Sequence, residues 1–415
     1  MSQSQKTHIL IIGPTGSGLL YMTAARALGM HVSVLTVDEI EYDLPEAMRC
    51  AIDDLIMVED WNMEGLLRHA LDLHHKLPLS GVVAGDEFRV DETAFIARTL
   101  DLAGITPEVM EGVRNKAITR ARLASNGVYV PNFAVASTLE EVIEASKRIA
   151  FPCVIKPVNL AGSVGVCRVH NRDELIRAYH DALNKDNYRK DFPSCMEVII
   201  EDFLVGTEYS VDGYVSSDGI EVISATEARL GREPHFQEIG HLSYRLQDLP
   251  FHRSLETYIR SVVKALGIKS GPFHSEIMMT KDGPALIEIA ARLAGDHLPE
   301  LVEKVSGICM PESVLAALTG YEMPERKKPQ SQVAVIQYIV EPRLAGLSYR
   351  ELRGWDEVLA LPSVFHSAIS IKPGEPIPLQ EDFRSRIACV MYLAESREQA
   401  LQIWDYIEQK VTVIA

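Results

Sequence analysis

The chain is poor in cysteine and has none of it in pairs. Cys50, Cys153, Cys167, Cys195, Cys309 and Cys389 are scattered, with no C-x-x-C motif. That spacing argues against a structural zinc site and a disulfide framework, and predicts free thiols in a reducing cytoplasm. No apolar run approaches the ~20 residues needed to cross a bilayer. Met1 to Thr7 is polar and lacks the basic-then-apolar layout of a signal peptide. A cytoplasmic protein without membrane contact is expected. Positive charge is in deficit, with 41 Lys and Arg against 58 Asp and Glu and a formal charge of −17. So acidic a surface argues against a nucleic-acid partner. It does not prevent local lysines and arginines from lining a cleft for an anion. Repeats and low-complexity segments are also absent.

What remains is an ordinary globular composition, 47% apolar and 24% charged, over 415 residues. That length predicts roughly two to four domains. His8 to Ile12 is an apolar run ended by Gly13-Pro14-Thr15-Gly16-Ser17-Gly18. A helical pattern follows, then a second run at His31 to Val37. Further runs at Asp54 to Val58 and Ser80 to Ala84 alternate with helical patterns, which predicts a doubly wound parallel α/β domain over residues 1–110. Ser137-Thr138-Leu139-Glu140 reads as a capping box. Cys153 to Lys156, Val166 to Val169 and Met196 to Ile200 read as strands, so residues 125–200 form a small α+β unit. From Thr207 the pattern turns to hairpins, with Lys281-Asp282-Gly283 as a tight turn between Pro272–Thr280 and Pro284–Ala290. Met323 to Gln330 reads as a linker before a last, β-rich α+β domain over 323–415.

The hairpin around Asp282 is the most informative feature. If Thr280 pairs with Pro284, residue 278 faces 286 and Glu276 faces Glu288. Like charges directly opposite are destabilising, and a divalent cation would relieve them. The bland alternative is two solvated glutamates. Lys156 closes an apolar strand, where a buried lysine needs an anionic partner; a lysine in water is the alternative. Ala161-Gly162-Ser163-Val164-Gly165 could bring backbone N–H groups to phosphate oxygens, or could be a simple turn. Glu201-Asp202-Phe203-Leu204-x-Gly206 could offer backbone to a purine edge, or could be an acidic connector. The N-terminal glycines have the Gly-to-Gly span of a P-loop, but Leu19 and Leu20 stand where Lys and Ser/Thr are required. They read as a tight strand-to-helix turn.

The order of these features resembles the ATP-grasp superfamily. The matching positions are Lys116 in Asn115-Lys116-x-x-x-Arg120-x-x-Leu123, Lys156, the 161–165 loop, Glu201 to Gly206 with Glu208, then Glu276 and Glu288. The resemblance covers about residues 1–320. Glu288-Ile289-Ala290-Ala291-Arg292-x-Ala294-Gly295, Gln237-Glu238-x-Gly240-His241 and Phe273-His274-Ser275-Glu276 resemble segments of the L-amino acid ligases that make dipeptides. Many ATP-grasp enzymes carry Asn two residues after the second metal Glu. Here it is Ala290, as in the dipeptide ligases.

The resemblance implies an ATP-grasp fold, with an ATP-grasp domain at 111–322 whose lid is the 125–200 unit. It implies ATP with Mg²⁺, Mn²⁺ being a substitute, and small-molecule carboxylate and amine substrates such as amino acids. Lys116 and Lys156 would hold phosphates, with Gly162, Ser163 and Gly165 closing over them. Phe203 and Leu204 backbone would read adenine beside Glu201, Glu208 would bind ribose, and Glu276 and Glu288 would bind metal. Arg292 would face the oxyanion, Glu238 a substrate amine, and His241 or His274 would orient substrate or move a proton. A homodimer is the assembly the superfamily suggests. The competing readings are a carboxylase-type ATP-grasp enzyme, a nucleotide-binding regulatory protein without turnover, and a dehydrogenase built on the N-terminal glycines.

Overall fold

The computed structural model describes residues 6–37, 44–183, 196–231, 237–379 and 383–415. Cys195 lies outside them. Among the described residues no helix is long and apolar enough to cross a membrane, and Cys50, Cys153, Cys167, Cys309 and Cys389 are all free thiols.

The first sheet is parallel throughout, in the order β3-β2-β1-β4, from β1 (His8–Ile12), β2 (His31–Thr36), β3 (Asp54–Met57) and β4 (Gly81–Ala84). β1 is buried along its whole length, as a strand covered on both faces must be. The glycine turn after β1 is a packing device. A Cβ on Gly18 would lie 1.9 Å from the Gly85 carbonyl oxygen, so the loops after β1 and β4 interlock at the carboxyl end of the sheet.

The second sheet comprises β5 (Phe133–Ala136), β6 (Cys153–Pro157), β7 (Cys167–Val169) and β8 (Val198–Asp202), in the order β5-β8-β6-β7. It has its own core, with Val142, Ile155, Leu175 and Ile200. The capping box sits one residue later than the sequence suggests. Thr138 is the N-cap and Glu141 its reciprocal partner, because the helix begins at Leu139.

The third sheet has eight strands. β9 (Gly206–Ser216), β10 (Gly219–Leu230), β11 (Glu238–Arg245), β12 (Gly271–Thr280), β13 (Gly283–Ala290) and β14 (Val333–Ile339) are followed by β15 (Glu351–Arg353), β16 (Val364–Ile369), β17 (Ala388–Ala394) and β18 (Thr412–Ile414). The order is β13-β12-β9-β10-β11-β14-β17-β16, while β15 and β18 pair separately. Strands β14, β16 and β17, after the 323–330 segment, therefore extend the large sheet. One face packs on the amphipathic helix His252–Leu266 and, through Trp404 and Ile407, on the helix Arg397–Lys410. The other face carries polar side chains on β9 and β12, such as Ser210, Asp212 and His274, and packs Ala334, Ile336 and Met391 on the helix Leu298–Ser306.

Candidate active site

Two lysines and an arginine converge where the three sheets meet. The Asn115 side chain caps the helix Lys116–Ser125 by accepting from the Ala117 and Ile118 amides. This fixes Lys116 at the first turn. Its Nζ donates to the Leu160 carbonyl at 2.6 Å and lies 3.0 Å from Glu288 Oε2. One turn on, Arg120 Nε donates to Glu201 Oε1 at 2.5 Å, and its Nη2 to the Ile287 carbonyl at 2.9 Å. Lys156, from β6, places Nζ 2.6 Å from Glu201 Oε2. All four charged side chains of this group, Lys116, Arg120, Lys156 and Glu201, are buried. Burial opposes the Glu201 charge, but Arg120 and Lys156 overcome it and bring the carboxyl down to about 2. The Arg120 pairing spans 81 residues and is invisible to local pattern.

The acidic pair lies opposite this group. Glu276 and Glu288 face each other on β12 and β13, as expected, but by another route. The turn residues are Lys281 and Asp282, so Thr280 pairs with Gly283 and Ile277 with Leu286. A register shift between Glu276 and Ile277 then brings Glu276 opposite Glu288. Residue 278 does not face 286. Leu286 instead enters the core with Ile277, and the bulge returns Glu288 to the polar face. Bulges re-aim side chains in this way, and this one leaves the Ile287 carbonyl free to accept from Arg120. β9 adds Ser210 opposite Glu276 and Glu208 opposite Met278. Burial, then Glu288, pushes Glu276 up to about 7. Burial, then Glu276, pushes Glu208 well above the usual carboxylate range. This crowd of carboxylates beside buried lysines fits a divalent cation with a polyanion, whose charges would satisfy both groups.

His274 is buried behind the pair, with Nδ1 2.9 Å from Asp212 Oδ1 and Nε2 3.9 Å from Glu276 Oε1. Burial opposes its protonation, yet Asp212 raises its pKa overall. His241 Nε2 lies 3.3 Å from Asp296 Oδ2 and 3.9 Å from Glu238 Oε2. Asp296 also accepts from Arg386 at 2.6 and 2.8 Å, and that guanidinium stacks 3.7 Å from the Tyr338 ring centre. Asp296, Arg386 and Tyr338 were not singled out in the sequence. Arg386 lies in the C-terminal segment, which offered fold but no recognisable chemistry.

Arg292 is held by an acidic partner. Its Nε donates to Glu87 Oε2 at 2.7 Å, and Arg114 holds the other oxygen of the same carboxylate at 2.6 Å. Glu87 was missed, although it follows β4 at the carboxyl end of a parallel sheet, where such folds bind ligands. In the 161–165 loop, Gly162, Ser163 and Gly165 have φ of 67°, 59° and 76°. A Cβ on Gly165 would come 2.9 Å from Pro157 Cγ, so glycine is required there on two counts. Beyond β8, Phe203 lies under the Arg168 guanidinium at 4.2 Å, and Leu204 is half-buried.

Residues 149–300 match the ATP-grasp domain, 22–104 the ATP-grasp N-terminal domain and 349–415 the L-amino acid ligase C-terminal domain 2. Uncharacterized protein y4rH of Sinorhizobium fredii is 30% identical over 398 residues, which is 95% of this chain and 80% of that protein. Dapdiamide A synthase of Enterobacter agglomerans is 30% identical over 290 residues, 67% of this chain; the match spans 65% of that enzyme's own length. The crystal structure of an L-amino acid ligase from Bacillus licheniformis shares the fold, with a TM-score of 0.80 at 22% identity over 99% of each chain.

Proposed function

The chain belongs to the ATP-grasp carboxylate–amine ligases, and from that premise we propose that it joins two L-amino acids by a peptide bond, with ADP and phosphate as co-products. The observation that carries the reading is the facing pair Glu276–Glu288 with Lys116 at 3.0 Å from one of them. Repelling carboxylates on one face and buried cations on the other are the two halves of a metal–polyphosphate site. The match of residues 349–415 to the L-amino acid ligase C-terminal domain supports the choice of amino acids.

In this reading Lys116 and Lys156 bind phosphate oxygens and leave Glu288 and Glu201 to do so. The 125–200 unit acts as a lid, and its loop at Gly162, Ser163 and Gly165 excludes water from the phosphates. The segment at Phe203 and Leu204 reads adenine, and Glu208 binds ribose. Glu276 and Glu288 hold Mg²⁺, which supplies charge neutralisation when bound. One substrate carboxylate becomes an acyl phosphate and the amine of the second attacks it. Arg292 is set to stabilise the oxyanion, after exchanging Glu87 for it. Glu238 binds the amino group of one substrate. His241, beside Asp296, or His274 orients substrate or moves a proton.

The test is phosphate release from ATP and Mg²⁺ against paired L-amino acids, with products analysed by mass spectrometry. Release that needs two amino acids, with a product lighter than their sum by one water, is expected. Release that needs bicarbonate instead would replace this reading with a carboxylase.

A further inference from the structure

Among the described residues, three clusters of His, Cys, Asp or Glu bring one ligand atom each within 4.8 Å of one another. Two of them are engaged by the protein itself. In His8–His31–Asp54, His8 Nδ1 lies 2.8 Å from the Leu77 carbonyl and Nε2 2.8 Å from Ser33 Oγ. In Glu238–His241–Asp296, both Asp296 oxygens hold Arg386. The third cluster, His297–His366–Cys389, joins two imidazoles and a thiol, with His297 Nδ1 held by Glu300. We propose that His297, His366 and Cys389 form a second metal site, selective for a thiophilic divalent cation of the zinc class and separate from the Glu276–Glu288 pair.

The fold assembles these donors from three elements. Ala368 pairs with Cys389 and His366 with Met391, so His366 and Cys389 share one face of the sheet at its β16–β17 edge. The register shift between Val364 and His366 sets that parity. The helix Leu298–Ser306 packs over this face, with Leu298 and Leu301 in one cluster with Cys389 and Met391. His297 is its N-cap, and the His297 and His366 rings lie 5.5 Å apart.

The backbone carries a second signal. Asp296 and His297 are consecutive non-glycine residues at φ of 57° and 59°. Such conformations are strained and persist where the surroundings impose them. Here the strain sends the two side chains to different clusters, Asp296 to His241 and Arg386, His297 to His366 and Cys389.

The chemistry of the donors agrees. His297 Nδ1 lies 2.8 Å from Glu300 Oε1. A carboxylate on one ring nitrogen orients the ring and leaves Nε2 as the metal donor. Cys389 is buried, and apolar burial disfavours a free thiolate. A bound cation offsets this by favouring the thiolate, with one proton released to solvent per metal bound. Two imidazoles and a thiolate select zinc over magnesium, which prefers oxygen. His366 is exposed, so a solvent water can complete four-coordination.

Cobalt titration of the full-length protein without nucleotide tests this. A sulfur-to-cobalt charge-transfer band is the readout, because a carboxylate site cannot produce it. The expected result is one band that saturates at one equivalent and is displaced by Zn²⁺. It should vanish in Cys389→Ser and weaken in affinity by roughly tenfold or more in His366→Ala and Glu300→Gln. His366 is a surface residue, so His366→Ala should stay folded and keep its phosphate-release activity. Absence of the band in the wild-type protein, or its survival at unchanged affinity in either Cys389→Ser or His366→Ala, would overturn the proposal.

Discussion

Glu276 shows how one residue can report the state of the whole site. Burial and Glu288 lift its carboxyl to about 7, from an ordinary value of 4.5. As pH rises from 4.5, the unfolded chain releases this proton first. The folded protein therefore loses stability progressively up to about pH 7, and the full penalty stands above it. A divalent cation that bound the ionised pair would remove that penalty. The rise in melting temperature caused by Mg²⁺ should thus grow as pH passes through about 7. Glu276→Gln should flatten this part of the stability profile and abolish the Mg²⁺ effect. Calorimetry at several pH values checks it; an equal Mg²⁺ shift on both sides of neutrality, kept in the variant, would count against metal binding here. Glu276, Glu288, Lys116 and Lys156 were legible because each sits in a recognisable local string. Glu87 was not, since it meets Arg292 across 205 residues, and Asp296 and Arg386 meet across 90.

At the scale of elements, Glu201 ties three of them together. It lies on β8, and it holds Lys156 of β6 and Arg120 of the helix Lys116–Ser125. Arg120 continues to β13 through the Ile287 carbonyl. Glu201 titrates near 2 when folded against 4.5 ordinarily. Its contribution is complete above pH 4.5 and is lost as pH falls toward 2. Glu201→Gln would leave two buried cations without their carboxylate, a loss of about 3–5 kcal/mol by comparison with broken buried pairs. Urea denaturation measures it; a loss under about 1 kcal/mol, the range of exposed pairs, would show the triad to be solvent-screened. The elements themselves were read well from period and turn chemistry, as in β1 and β12. The hairpin register was not. Regular pairing predicts that Leu286 and Glu288 share a face, whereas Leu286 is wholly buried and Glu288 is not. A bulge is a tertiary compromise between core and site, and the β13 sequence carries no glycine at that point to announce it.

Across the whole molecule, cooperativity should follow sheets rather than the sequence boundaries expected near residues 110 and 322. β11 and β14 lie on either side of the 323–330 segment, yet they pair directly from Gly240↔Gln337 to Tyr244↔Val333. Arg397, in the last long helix, adds an ion pair to Glu227 on β10 at 2.7 Å. Strands β9 to β14 with β16 and β17 therefore share one hydrogen-bonded ladder and one main core, including Val211, Leu242, Val335 and Val390. The lid differs. Its sheet β5-β8-β6-β7 is separate and its core holds no residue of the large sheet. Its polar ties to the rest include Arg120 to Glu201 and Lys116 to the Leu160 carbonyl, beside the groups a nucleotide would engage. Native-state hydrogen exchange should then show β11 and β14 opening together at the global unfolding free energy, with β5 to β8 opening at lower free energy. Addition of ATP and Mg²⁺ should slow the lid amides selectively, because ligand binding to the closed form adds its free energy only to openings that release it. If β14 and β17 opened earlier than β11, the C-terminal segment would be a separate cooperative unit despite the shared ladder. If the lid amides were unmoved by nucleotide, the cleft between lid and large sheet would not be where ATP binds.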